Sequence, residues 1–543
     1  ISRIAFGPFS TLLRETVTRT PGFMLANMLR DSLSAFVTSG SSFVPLLGTT
    51  KGFFSNINNL ERTGVVGGYD FKIDQQDIGK VFAQEADRRQ RNGLPLNMFK
   101  TIWDASGRLT TRSDAATRQA VYDEVYARTG NEAEAHFQAM EVLNFSRRGS
   151  NGIARAITAA IPFLNARIQG LDVLWRSSIG VNTAKRGVPR GTAALSFAMR
   201  GAILSFATAL YWMMVSDDEE YKEASREEKD NNWLFPLKGV EGVGAVKIPI
   251  PFEVGLIFKT IPEVVLDTTY GDRTSRQAFQ SFKQGVGSTL ELNLLYGIQA
   301  YAPLLEAHSN YSSYTGRPIV PIWLTGQRPE YQRTDSTSET AIFLQKATPY
   351  LASIPLLAMD EGGTSPMKIE HVIKGYTGSM GGFILSWTDR VLRSDSGREA
   401  MANAGYDVSQ PEMPSLALYD YPVVKRFLTR PEGSGLKEQF YELYNEVRQD
   451  YNTINTILER GDQDEFNSLY PKIENLLAVK NDVYFIRKQL SQIRQDKKAI
   501  MRSDMDSDQK KYMLDQLAAE ENEILKVVPI LEQAAQRSTI RGI

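Results

Sequence analysis

Helical periodicity dominates this chain and predicts a mainly α fold: an extended multi-helical assembly with a small β-hairpin and a C-terminal antiparallel helical hairpin. Three observations carry that expectation. Apolar residues recur at three- and four-residue intervals along most of the sequence, the pattern of helices with one buried face. Strand-like runs around a Gly-rich turn occur only near residues 233–249. Beyond residue 470 the apolar positions fall into heptads.

The 543 residues imply roughly three to four domains by length. Shifts in pattern place them at 1–145 (helical), 146–232 (basic amphipathic and apolar helices with an acidic break), 233–440 (hairpin plus a Pro/Gly-rich helical region) and 441–543 (helical hairpin). Net charge is −1, so any electrostatic role is local rather than global. At 42% hydrophobic, the chain can build a sizeable core. It has no cysteine, which excludes disulfides and thiolate metal sites. No signal peptide follows Ile1, and the missing initiator Met predicts the ordered part of something longer.

The first helix signal is Thr20-Pro21-Gly22-Phe23, with Pro in the first turn, leading into Met24, Leu25, Met28, Leu29, Leu33 and Phe36 before a Gly/Ser run at 39–42. A mixed-charge helical stretch follows from about 75 to 145. Next, Ile153, Ile157, Ile161, Leu164, Ile168, Leu171, Trp175 and Ile179 repeat at helical spacing, with the arginines off that stripe. Pro162 should kink this helix or start a second one.

Residues 151–230 are polarised end to end. Arg148, Arg155, Arg167, Arg176, Lys185, Arg186 and Arg190 stand against one acid, Asp172. An almost uncharged span from Gly191 to Ser216 follows, broken only by Arg200, and then the acids Asp217, Asp218, Glu219, Glu220, Glu223, Glu227, Glu228 and Asp230. Basic flank, apolar span and acidic flank form an order that a membrane reads as orientation, over about the 20 residues needed to cross it. Arg200 mid-span is costly in lipid. A buried core helix has the same composition, and both readings stay open at this point. Arg155, Arg167, Arg176, Lys185, Arg186, Arg190 and Arg200, with Trp175 and Trp212, are the candidate contacts to anionic headgroups or DNA phosphate.

Trp233–Leu237 and Ala245–Ile248 flank a Gly-rich turn and read as a β-hairpin that Pro249 and Pro251 stop, with a helix resuming over Phe252–Leu266. Eleven of the 23 prolines fall between 300 and 450, which predicts short helices joined by ordered turns. Six glycines between Gly362 and Gly382 mark close backbone approach, better explained by helix packing than by a phosphate loop. At the C-terminal end, Leu476, Val479, Val483, Ile486, Leu490, Ile493, Lys497 and Ile500 hold the a and d positions of one seam. Leu514, Leu517, Glu521, Ile524, Val528 and Leu531 form a second, after a polar break at 503–507, and Pro529 should end or bend that arm. Such seams argue for helix association, with the partner in the same chain or another.

A search for chemistry returns little. His136, His308 and His371 are too scattered to suggest a metal set, and there is no His-Glu-x-x-His. Gly433-Ser434-Gly435-Leu436-Lys437 lacks P-loop spacing, and Gly378-Ser379-Met380-Gly381 lacks nucleophile-elbow spacing. No catalytic residue, cofactor site or metal site is assigned, and this segment is expected not to be an enzyme.

Five blocks resemble a large polyvalent protein-associated domain of phage and mobile-element giant proteins. They are Thr20-Pro21-Gly22-Phe23 with Asn27 and Arg30-Asp31, then Pro162 to Gly170, Ile248 to Glu253, Asn310 to Pro321, and Ser365 to Gly378. They span residues 1 to about 440. The resemblance implies placement rather than chemistry. Similar chains in short-tailed phages are internal core or ejection proteins, which leave the capsid with the genome and line a route across the host envelope. The implied partners are a homo-oligomeric ring, other core or portal proteins, DNA and the host inner membrane; the implied location is the virion interior and then the envelope. The alternative is a supporting C-terminal domain of an enzyme-bearing polyvalent protein, with a transglycosylase or polymerase elsewhere. A weaker one is a stand-alone pore-forming protein.

Overall fold

The computed structural model describes residues 7–39, 44–58, 60, 97–142, 151–152, 164–181, 189–237, 242–271, 273–290, 301–313, 317–334, 336–347, 365–408, 410–421, 424–430 and 435–536. Over these the fold is mainly α with one two-stranded sheet, as the periodicity requires. The chain divides into two compact units, each assembled from separated stretches. The first comprises Ile1–Trp212, Asp230–Trp233 and Ile248–Thr388; the second comprises Met213–Lys229, Leu234–Lys247 and Asp389–Ile543.

The first unit opens with α1 (Gly7–Thr18), α2 (Pro21–Thr38) and α3 (Leu47–Phe54). Pro21 sits in the first turn of α2, where its missing N–H costs nothing. Next come α4 (Asn97–Thr129) and α5 (Glu132–Glu141), joined at Gly130 with φ 63° and capped by Asn131, which accepts from the Glu134 N–H at 3.2 Å. The part of the predicted 75–145 stretch before Asn97 lies outside the described residues. Ala35, Ile57, Leu60, Ala115, Val121, Tyr122, Val125 and Ala139 form the core between these helices. Small residues let them close up: a Cβ on Gly52 would lie 2.1 Å from the Ala116 carbonyl.

α6 (Leu164–Ser178) and α7 (Arg190–Val215) follow, then the short α8 (Glu219–Lys222) and α9 (Arg226–Asn231). The hairpin forms where expected, as β1 (Asn232–Pro236) and β2 (Ala245–Pro249). Residues 427–429 pair with β2 as well: Lys247 N–H donates to the Phe427 carbonyl at 2.7 Å, and Thr429 N–H to Ala245 at 2.9 Å. The far side of β2 is thereby covered.

After the hairpin the helix resumes in three registers: α10 (Phe252–Gly255), a π-helical turn at Leu256–Thr260, and α11 (Ile261–Tyr270). α12 (Ser275–Leu290) follows, and α13 (Ala302–Ser309), α14 (Ile322–Thr325) and α15 (Glu339–Ala347) match the short helices predicted from the prolines. Asn310 leaves α13 in the left-handed conformation (φ 52°) and clamps Val320, accepting from its N–H at 2.8 Å and donating to its carbonyl at 2.9 Å. α16 (Pro366–Arg393) departs from the short-helix expectation, being 28 residues long, because no proline interrupts it after Pro366. It breaks instead at Gly378 (φ 55°), where a Cβ would lie 2.9 Å from Val17 of α1; Gly375 lies as closely on Pro303. These glycines serve helix packing.

In the second unit, α17 (Asp395–Asn403) precedes α18 (Gly435–Arg460), α19 (Gln463–Ala478), α20 (Lys480–Arg502), α21 (Ser507–Leu525) and α22 (Val528–Gln536). The predicted hairpin is α20 with α21, but it is part of a larger bundle. Val479, Val483, Ile486 and Leu490 pack with Leu436, Phe440, Leu443 and Val447 of α18, so the seam's partner lies in the same chain. Ile493 is buried; Leu476, Leu517 and Ile524 are half-buried. The seam's polar interruptions meet each other, since Lys497 donates to Glu521 at 2.6 Å and Lys437 donates to it as well. Pro529 lies just inside α22, where the second arm has ended at Leu525 and restarted.

Candidate functional site

α7 is the one helix among the described residues long and apolar enough to cross a membrane, yet only 28% of its most apolar window is buried. Its inner face is held by specific contacts. Phe197 packs edge-on against Phe258 with ring centroids 5.6 Å apart, and Gly201 leaves room for the same ring. The π turn disturbs the ordinary i to i+4 ladder, and the Phe258 carbonyl accepts from Thr208 at 3.4 Å. Arg200 turns toward α2, donating to the Phe36 carbonyl at 2.8 Å with its guanidinium 5.3 Å from the Phe36 ring. Trp212 is buried, with its indole N–H 3.4 Å from Asp267 Oδ1. The outer face is apolar and open: Leu195, Met199, Ile203, Phe206, Leu210 and Met213 are between 46% and 70% exposed.

Behind α7 lies a buried charge cluster that the sequence reading missed. Lys259, in the π turn, pairs with Glu263 one turn on, and both are almost fully buried. Arg273 donates to Asp230 Oδ1 at 2.8 Å, to Ser281 Oγ at 2.8 Å and to Asp267 Oδ2 at 3.0 Å. Thr260 Oγ1 donates to the Asp230 carbonyl at 2.7 Å. Burial pushes the Lys259 amino group below its ordinary value, against the pull of Glu263. Burial also opposes the Arg273 charge, but Asp230 and Asp267 outweigh it and the guanidinium is raised. Removing one member of such a network strands its partner's charge, at a cost of roughly 3–5 kcal/mol. The sequence signal was present: Lys259, Glu263 and Asp267 stand at i, i+4 and i+8 on one face. Three carboxylates against two cations tie α7, α9, α11 and α12 into one body; we see in them a structural tie rather than a reactive centre.

Among the described residues, the predicted contacts Arg167, Arg176, Arg190 and Arg200 have different surroundings. Arg155, Lys185 and Arg186 lie outside the described residues, as does the apolar stripe before Leu164. Arg190 is exposed at the start of α7. Arg167 is half-buried beside Glu253, whose carboxyl is raised by burial and lowered by this arginine. Arg176 turns inward, pairing at 2.9 Å with both Asp172 and the buried Glu141. On α6 the stripe residues Ile168 and Trp175, with Ile179 just beyond it, are exposed, Leu164 and Leu171 are half-buried, and Val173, Ser177 and Gln169 are buried. The buried Glu141 carboxylate requires a cation and draws Arg176 in.

The acidic run is also partly internal. Glu223 accepts from Asn522 at 2.7 Å, Lys526 pairs with Glu219 at 2.9 Å, and Lys247 pairs with Glu228 at 3.4 Å. His371 Nε2 lies 2.7 Å from Glu306, a contact between α16 and α13. Among the described residues no group of acidic or histidine side chains could hold a metal ion.

No curated protein and no solved structure matches the chain. A family model does, over part of it, and that part contains the hairpin, the π turn, the charge cluster, the Asn310 clamp and the break at Gly378. Three of the five resembling blocks fall inside it, while Thr20–Asp31 and Pro162–Gly170 fall outside. Residues 218–405 match Large polyvalent protein associated domain 38, and through that segment the chain is similar to the polyvalent proteins of phages and mobile elements.

Proposed function

We propose that this chain is a structural internal protein of a phage particle, released with the genome to help form a DNA-delivery conduit across the host envelope. The observation that carries the reading is α7: a 26-residue helix whose outer side is apolar and open. A surface of that kind associates in water. It suits a protein that is covered by neighbours inside a particle and uncovered on leaving it. The similarity of residues 218–405 to a polyvalent-protein domain supplies the phage or mobile-element setting. On this reading the neighbours are further copies in a ring and other core or portal proteins, and the later partners are the host inner membrane and passing DNA. On this reading Arg190, exposed at the start of α7, meets phosphate, and this segment has no reaction of its own.

The test is compositional. Mass spectrometry of purified intact particles should find the chain at a fixed number of copies per portal, and fractionation after infection should move it to the host envelope. Its absence from particles, or its retention in emptied capsids, would overturn the reading.

A further inference from the structure

We infer that the outer face of α7 is a lipid-binding surface that lies side-on in one leaflet of a phospholipid bilayer, while its inner face stays on the first unit. This deepens the proposed function by naming the surface that meets the membrane and the way it does so. From Leu195 to Met214 every exposed residue of the helix is Ala, Leu, Met, Ile or Phe. That open face runs about 29 Å at 1.5 Å per residue.

Transient cover by neighbours inside a particle asks little of this surface, but a lasting partner held in one register would need more than it offers. Protein interfaces surround an apolar centre with a polar rim, and paired helices flank their seam with charged residues that set register. On α7 the flanking exposed positions are Ala198, Ala202 and Ala207, which bring neither charge nor a hydrogen-bonding side chain to set a register. A hydrocarbon layer requires neither. The only charged residue within the span, Arg200, is on the far side against Phe36. Arg190 stands at one end of the helix and Asp217 just past the other, where both reach water or headgroups.

The side-on attitude follows from the inner face. Arg200, Thr208 and Trp212 make hydrogen bonds to Phe36, Phe258 and Asp267, and the last of these belongs to the buried charge cluster. A helix crossing the bilayer would carry that cluster into hydrocarbon or abandon it, and either is costly. Partial immersion keeps both.

The test uses the full chain with vesicles of phosphatidylcholine alone and of phosphatidylcholine with phosphatidylglycerol. Flotation should occur with both and persist at high salt, because apolar insertion is not screened. Ile203→Asp with Phe206→Asp should reduce the floated fraction at least tenfold. Ile322→Asp, at an exposed apolar site outside α7, should leave it unchanged. Unaltered flotation of the double variant, or flotation that vanishes in salt, overturns the proposal. If the double variant instead loses self-association while flotation is kept, the face binds a second copy and the lipid assignment fails. Since the chain has no cysteine, single cysteines at Leu195, Ile203 and Met213 can carry a fluorophore. Lipids with spin labels at shallow and deep positions should quench all three from the same shallow depth; a deep signal at 203 alone would mean a crossing helix. Failed flotation by a chain that particle analysis finds in virions would refute this surface without touching the wider function.

Discussion

Two carboxylates titrate in opposite senses. Burial, reinforced by Asp114, pushes Asp31 up to about 7, against Arg118 and Arg30. Its folded value lies above its unfolded one, so the stability it contributes is fully present below about pH 4 and is lost as pH rises through 7. Asp31→Asn should therefore raise stability at pH 8 by about 2 kcal/mol, allowing for partial solvation, and change it little at pH 4. Urea unfolding at both pH values checks this; an equal effect at the two would remove Asp31 as the source. Glu521 behaves in the reverse way: burial works to raise it, but hydrogen bonds from Lys437 and Lys497 hold it below the usual carboxylate range. That contribution is present at neutral pH and is lost as pH falls through the lowered value. Glu521→Gln should cost about 1–2 kcal/mol at pH 7 and little in strong acid. Neither environment was legible in the sequence. Asp31 stood out only within a family block, and Glu521 only as a polar residue spoiling a heptad.

At the level of elements, legibility followed the strength of the repeat. The α20 seam was readable because Val483, Ile486 and Leu490 keep heptad spacing, and the hairpin because Trp233–Leu237 and Ala245–Ile248 flank glycines. The filling of the seam by α18 was not readable, since heptads name a face and not its partner. The π turn left no trace in the pattern, because one wider turn shifts the register without interrupting helical spacing. On α6 part of the apolar stripe is exposed and Arg176 turns inward to pair with Glu141, a contact that no local spacing announces. The seam gives a direct test. Val483→Asp with Ile486→Asp puts two carboxylates into a core in which both side chains are buried, and should cost at least about 4 kcal/mol. Circular dichroism on heating should show that loss; a melting curve like the parent's would mean these residues do not hold α18 and α20 together.

Across the whole molecule, the sequence reading followed chain order and divided the protein into consecutive stretches, whereas the two units are built from interleaved ones. The acidic segment 213–229 is an example. In sequence it stands as the acidic flank of the apolar span, but Gly435 donates its N–H to the Glu223 carbonyl at 2.8 Å and Arg226 reaches Glu438 at 3.2 Å. Long-range closure of this kind leaves no local periodicity to detect. A fragment ending at residue 388 should keep the α2–α5 core yet be cut by protease within 213–247. Limited proteolysis with mass mapping measures this; protection equal to that of the full chain would mean those stretches need nothing downstream. The interleaving also sets a timetable. During synthesis, residues 213–229 and the hairpin leave the ribosome long before α18 exists to receive them. At roughly 5–20 residues per second, they wait on the order of ten seconds or more. For that interval the nascent protein carries an uncovered edge of β2 and unmatched acids, a window in which a chaperone, or a neighbouring copy emerging from the same message, can reach them first.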